Sequence, residues 1–231
     1  MTEATPGPKQ WFEAVREGRP EMTPQRAAAR RVGQALRELI DQTVATSAPV
    51  EALEGVAEVL EALGRVVARY PQGRLYEGFA ESGPSGDPYA FFDNSPIIGM
   101  ANPLAPPIHM SVEEVEGEQV VIGTATYGGA YEGPPGCVHG GYVAAAFDEV
   151  LGMTQSIAGR PGMTGTLTIR YRRPTPLHAE LRFEGRLDRV EGRKIFTVGE
   201  SFADGELLCE AEAVFITVDF ARIAALYADR G

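Results

Sequence analysis

Apolar and polar residues change their period along this 231-residue chain. Past a polar opening stretch, apolar side chains recur at Ala28, Val32, Ala35, Leu36, Leu39 and Ile40, the spacing of an amphipathic helix. Thr23-Pro24 ahead of them supplies an N-cap followed by proline at the first helical position. A second stripe, Val50, Leu53, Val56, Leu60, Leu63, Val67 and Tyr70, restarts after Ser47-Ala48-Pro49 and is closed by Pro71 and Gly73. Together they predict a helical hairpin over residues 22–72, with its Arg and Glu side chains on solvated faces. Residues 1–21 are expected to be poorly ordered, with Trp11 and Phe12 as the two side chains suited to docking. Residues 73–107 are rich in Gly, Pro, Ser and Asp and read as an irregular linker or cover over a cleft. Tyr76, Phe79, Tyr89, Phe91 and Phe92 are its aromatic anchors.

From about His109 the period falls to two. His109–Glu116 and Gln119–Gly128 alternate as strands do, with Gly117-Glu118 between them. Four more strands are expected at Met163–Arg172, Ala179–Asp188, Lys194–Ala203 and Glu206–Val218, with Glu191-Gly192 and Asp204-Gly205 at hairpin turns. A short helix over Phe220–Arg230 closes the chain. Between the second and third strands lies GPPGCVHGGYVAAAFDEVL, Gly133–Leu151. It reads as a tight turn followed by a helix apolar on nearly all sides, interrupted only by Asp148-Glu149. A helix of that kind is buried. An antiparallel sheet buries such a helix only by curling around it, which predicts an α+β domain over residues 108–219.

Composition narrows the chemistry. The net charge of -11 argues against a general nucleic-acid binder, which needs surplus Lys and Arg. Two cysteines, Cys137 and Cys209, are too few for a disulfide framework and form no CxxC pair. His109, His139 and His178 are scattered, so no metal site is expected. No signal-peptide h-region and no run of about 18 apolar residues is found, which predicts a soluble cytoplasmic protein without a membrane span.

The buried helix is where chemistry is expected. Its Gly-Gly start offers free N–H groups for an oxygen carrying negative charge, and glycine lets a substrate approach the backbone. The same glycines also serve close helix–sheet packing. The order and spacing of His139-Gly140-Gly141, of Asp148 nine residues after His139, of Thr164 sixteen after Asp148, and of the run IRYRRPTPL at Ile169–Leu177 resemble the hotdog-fold acyl-CoA thioesterases, the PaaI-like and thioesterase-superfamily-member group. The resemblance covers about His109 to Val218. It implies the hotdog fold, acyl-CoA as substrate with no cofactor besides the coenzyme A it carries, and a homodimer or dimer of dimers. It further implies Asp148 as catalytic base or nucleophile, Thr164 orienting water or carboxylate, and the Gly140 and Gly141 amides on the thioester oxygen. His139 belongs to the family's site. Many relatives carry Asn or Gln just before the His-Gly-Gly, where this chain has Glu132-Gly133-Pro134-Pro135-Gly136.

Each residue also has a plainer reading. Asp148 lies eight residues past Gly140, about 80° around the helix at roughly 100° per residue, so donor and carboxylate diverge within one subunit. That favours a site shared between two subunits; the plainer alternative is an Asp paired with Arg170. Glu149 has the wrong spacing and reads as a surface or interface charge. His139 acts on the leaving group or, more simply, fixes the turn, since a thiolate of pKa near about 8.5 leaves unaided. Thr164 is equally a β-branched strand residue. Arg170, Arg172 and Arg173 either recognise coenzyme A phosphates or form a solvated strand end, with Arg173 on the opposite face from the other two. Cys137 lacks a base partner and reads as a small hydrophobe. Two rival functions remain: a non-catalytic acyl-CoA or lipid binder, and an enoyl-CoA hydratase, which would pair Asp and His at another spacing.

Overall fold

A computed structural model describes residues 22–70, 90–160 and 162–218. The expectations for residues 1–21, for Tyr76, Phe79 and Tyr89, for the Phe91 side chain and for residues 220–231 lie outside them. Helices α1 (Pro24–Ala45), α2 (Val50–Val67) and α3 (Ala90–Asn94) precede strands β1 (His109–Val115) and β2 (Glu118–Thr126). A 3₁₀ turn (Gly129–Tyr131) leads to helix α4 (Gly140–Gln155), followed by β3 (Gly162–Tyr171), β4 (Glu180–Glu191), β5 (Lys194–Ala203) and β6 (Glu206–Thr217).

The six strands form one antiparallel sheet in the order β1-β2-β4-β5-β6-β3. The sheet wraps α4, whose Val143, Ala146, Phe147, Val150, Leu151 and Met153 are all buried. This is the α+β hotdog arrangement. Alternation places Leu181 and Phe183 of β4 and Ile195 of β5 under the helix. Phe147 meets Phe183 edge to face, 5.3 Å between centroids. Among the described residues no helix is long and apolar enough to cross a membrane.

Glycines make the seat for α4. Side chains at Gly123, Gly185 or Gly199 would run into it: a Cβ at Gly123 would lie 2.7 Å from Val150, one at Gly185 against the Thr154 hydroxyl, and one at Gly199 3.0 Å from Leu151. Gly185 and Gly199 are direct cross-strand partners, so the sheet is bare of side chains where the helix presses closest.

The hairpin turns fall one residue from the expected places at two sites. Both Glu116 and Gly117 have positive φ, 55° and 85°, so the turn pair is Glu116-Gly117 rather than Gly117-Glu118. The β4–β5 loop is Gly192-Arg193, with Gly192 at φ 57°, rather than Glu191-Gly192. Asp204-Gly205 turns where expected, at 50° and 78°. Two successive positive φ values match the right-handed twist of the flanking strands.

The largest departure is α1. The Thr23 side chain caps it as expected, accepting from the Arg26 N–H at 3.2 Å. Its charged residues, expected in solvent, instead face the domain. Arg26 and Arg30 both bind the buried Asp93. Arg37 donates to the Met100 and Asn102 carbonyls at 3.0 and 2.9 Å, and Asp41 accepts from the Ala130 N–H at 3.1 Å. Arg26, Arg30, Gly33, Arg37 and Asp41 lie on one stripe at three- and four-residue spacing. Gly33 packs directly on the Ala101 backbone. Of the apolar residues expected to face inward, Val32 and Ile40 are exposed. The reason is local: the segment from Asp93 to Asn102 presents carboxylate and carbonyl oxygens, which only the cationic face can satisfy.

Replacing Gly185 by Ala is expected to cost about 1–3 kcal/mol of stability by overpacking α4 against Thr154. Urea denaturation measures it, and adding Thr154→Ala should return part of the loss.

Candidate active site

The turn ahead of α4 is held by its own backbone. Gly133 N–H donates to the Cys137 carbonyl and Cys137 N–H to the Pro134 carbonyl, each at 2.9 Å. The Glu132 carboxylate accepts from the Gly136 N–H at 2.6 Å, which gives this position a structural task. Gly136 sits at φ 74°, a conformation that suits glycine. Val138 N–H reaches the Thr175 carbonyl at 2.8 Å and His139 N–H the Tyr131 carbonyl at 2.9 Å, fixing the helix start between β2 and the end of β3.

His139 is the N-cap of α4. Its Nδ1 accepts from the Gly141 N–H at 3.0 Å, and its carbonyl accepts from Tyr142 at 2.9 Å. Acceptance at Nδ1 puts the neutral ring's proton on Nε2. The Gly141 amide, expected to face an oxyanion, is therefore engaged within the chain. Among the described residues the Gly140 N–H has no partner, so it is the open donor at this helix terminus. The Gly140 carbonyl is fixed by the Tyr171 hydroxyl of β3, which donates to it at 2.9 Å. The Tyr171 phenol is pushed up in pKa, by burial first and by Cys209 second.

Asp148 lies two turns further along α4 and is exposed. The Thr164 hydroxyl donates to its Oδ1 at 2.8 Å. The register of β3 against β6 shifts between Thr164 and Thr166, a bulge of the kind that re-aims neighbouring side chains. The structure thus brings Asp148 and Thr164 together. It does not pair Asp148 with Arg170, which lies 3.8 Å from Glu212 instead. Arg172 binds Glu210 at 2.6 Å and Arg173 lies 3.1 Å from Glu206. All three arginines are exposed and each already faces a carboxylate.

Glu149 is not a plain surface charge. It is half-buried and approached by the Ser95 hydroxyl at 3.4 Å. Burial first, and neighbouring Asp148 second, push its carboxyl up to about 7. Ser95 Oγ also accepts from the Ile97 and Ile98 N–H groups, each at 3.2 Å, so the loop that meets Glu149 is built around this one hydroxyl. No signal in the sequence pointed to Ser95 or to the Tyr171 hydroxyl. Both act across 30 residues or more of chain. Cys137 is half-buried and Cys209 buried, and burial raises the Cys209 thiol pKa. Among the described residues no cluster of three or more His, Cys, Asp or Glu could hold a metal ion.

The family profile of the thioesterase superfamily matches residues 135–210, from the turn ahead of α4 into the first half of β6. The crystal structure of a thioesterase superfamily protein superposes with a TM-score of 0.67 at 33% identity, over 81% of this chain and 94% of its own. The chain belongs to the thioesterase superfamily. Among curated proteins it is 38% identical over 87 residues to acyl-coenzyme A thioesterase THEM4 of Xenopus laevis and 39% identical over 95 residues to that of Bos taurus. The matched stretch covers 37% and 40% of this superfamily member, and 39% of each of those relatives.

The raised Glu149 carboxyl sets a pH test. Its folded pKa lies above its unfolded value, so its contribution to stability is complete below about 4.5 and is lost as pH rises through about 7. Glu149→Gln should flatten the fall in Tm between pH 5 and pH 8, with the larger gain at pH 8. Parallel Tm-against-pH curves for the two proteins would exclude this environment for Glu149.

Proposed function

We infer that this chain hydrolyses acyl-CoA thioesters to the free acid and coenzyme A. The observation that carries the reading is the 2.8 Å hydrogen bond from Thr164 to Asp148 on a helix whose first amide is open. With Thr164 donating to Oδ1, Oδ2 of Asp148 is left to take a proton from water. That water attacks the thioester carbonyl carbon, which becomes tetrahedral, and the carbonyl oxygen takes the negative charge. The Gly140 N–H is the donor offered to it, aided by the positive end of α4. Collapse expels the coenzyme A thiolate, a good leaving group that needs no acid. His139 then serves as a positioning residue: by capping Gly141 it sets the direction of the Gly140 amide.

Gly140 and Asp148 point to different sides of α4, so the working site joins the helix terminus of one subunit to the carboxylate of another. A homodimer meets this need, and the exposure of Asp148 in the single chain supports it. Coenzyme A phosphates are assigned to Arg170, Arg172 and Arg173, where they would compete with Glu212, Glu210 and Glu206. Likeness to the acyl-coenzyme A thioesterases supports the substrate class.

Asp148→Asn is expected to lower kcat on a good acyl-CoA by about 10²-fold or more, the scale of a lost general base. Wild-type thiol release by the purified variant would sink the mechanism. Thr164→Ala should lower kcat about tenfold and change KM less, since the lost bond orients the base and does not hold the substrate. A KM effect alone would place Thr164 in binding.

A further inference from the structure

The first turn of α4 carries two adjacent glycines, Gly140 and Gly141. Glycine leaves the backbone freer than any other residue, and helix ends fray. The proposed reaction nonetheless needs this turn to hold the open Gly140 N–H in one direction. Three hydrogen bonds oppose the fraying. His139 Nδ1 accepts from the Gly141 N–H at 3.0 Å, and the His139 carbonyl accepts from the Tyr142 N–H at 2.9 Å. Both of these come from the cap residue and move with it. The third comes from outside the helix. The Tyr171 hydroxyl of β3 donates to the Gly140 carbonyl at 2.9 Å, across 31 residues of chain.

We propose that Tyr171 is a positioning residue for the hydrolysis, anchoring the Gly140–Gly141 peptide to the sheet and so aiming the Gly140 N–H at the oxyanion. The inference rests on the thioesterase reading above and adds a residue to it. Tyr171 is itself firmly placed. It pairs with the buried Cys209 on β6, and the Arg172 and Arg173 N–H groups just after it both donate to the Leu208 carbonyl, at 2.8 and 3.0 Å. Its phenol lies against the helix end: a Cβ on Gly140 would stand 3.4 Å from the hydroxyl oxygen and 3.5 Å from Cζ. The side chain is 53% exposed, so apolar burial is a small part of what it contributes and the hydroxyl is the larger part. A carbonyl only accepts, so the hydroxyl must keep its proton to make the bond. Burial first, and Cys209 second, hold the phenol above its ordinary pKa, which keeps that proton in place.

Tyr171→Phe in the full chain tests the assignment, because it removes the hydroxyl and keeps the ring. Wild type and variant are compared in three ways: thiol release from an acyl-CoA, calorimetric binding of the S-alkyl coenzyme A thioether of the same chain length, and hydrogen exchange of the amides over 139–143. The variant should lose about fivefold or more in kcat, the weight of roughly one hydrogen bond, with KM changed less. The thioether has no carbonyl oxygen to meet Gly140, so its Kd should stay within about twofold. Exchange in the first turn should quicken by about threefold or more. An unchanged kcat overturns the assignment. So does a thioether Kd weakened as much as kcat falls, which would make Tyr171 a substrate-binding residue. A lower kcat with unchanged exchange overturns it as well. A wild type that releases no thiol, beside a variant that still exchanges faster, would defeat the thioesterase reading and leave the anchor at the helix end standing.

Discussion

The close approach of α4 to the sheet is the constraint on which the rest depends. Three glycines, Gly123, Gly185 and Gly199, clear the ground beneath it. Without side chains there, Val150, Leu151 and Phe147 sink to full burial, and the sheet can curve around one helix. A helix held this closely has fixed ends. The N-terminal glycines are presented next to Tyr171, and the Asp148 turn is presented to β3, where Thr164 reaches it. Packing thus fixes where the helix terminus and the Asp148–Thr164 pair lie.

A second set of contacts ties both approaches to the site through α1. Asp41 holds the 3₁₀ turn that leads to the His139 cap, while Arg26 and Arg30 hold Asp93, two residues before Ser95. The helix is amphipathic in the reverse of the usual sense, with its cationic stripe inward and apolar residues outward. Burying these charges is tolerable because each finds oxygen partners. Val32 and Ile40 lie exposed on the other side of α1.

The strands were legible because alternation and turn residues agree to within about a residue. Their turns were misplaced by one residue at Gly117 and Gly192, since either neighbour of a turn glycine can be read as its partner. The Asp148–Thr164 pair was legible through the family resemblance that its spacing carries, and one residue on the central helix and the other on the next strand bring the two together. Three things were hidden. Glycine in a strand reads as weakness, so the seat at Gly185 and Gly199 gave no signal. Charge on a helix reads as solvent-facing, so the Arg26–Arg30–Asp93 cluster was inverted. The shifted Glu149 depends on a loop residue 54 positions away, and no local pattern encodes that.

The Arg26–Asp93 contact spans 67 residues of chain and the Asp41–Ala130 contact 89. Closing loops of that length costs chain entropy, which these contacts offset. Helix α1 thus ties together parts of the chain that lie far apart in sequence. It holds by ion pairs and hydrogen bonds more than by buried apolar area, and such contacts release locally at lower free energy than a core. Opening that began at α1 would leave the α4 core contacts with the sheet in place.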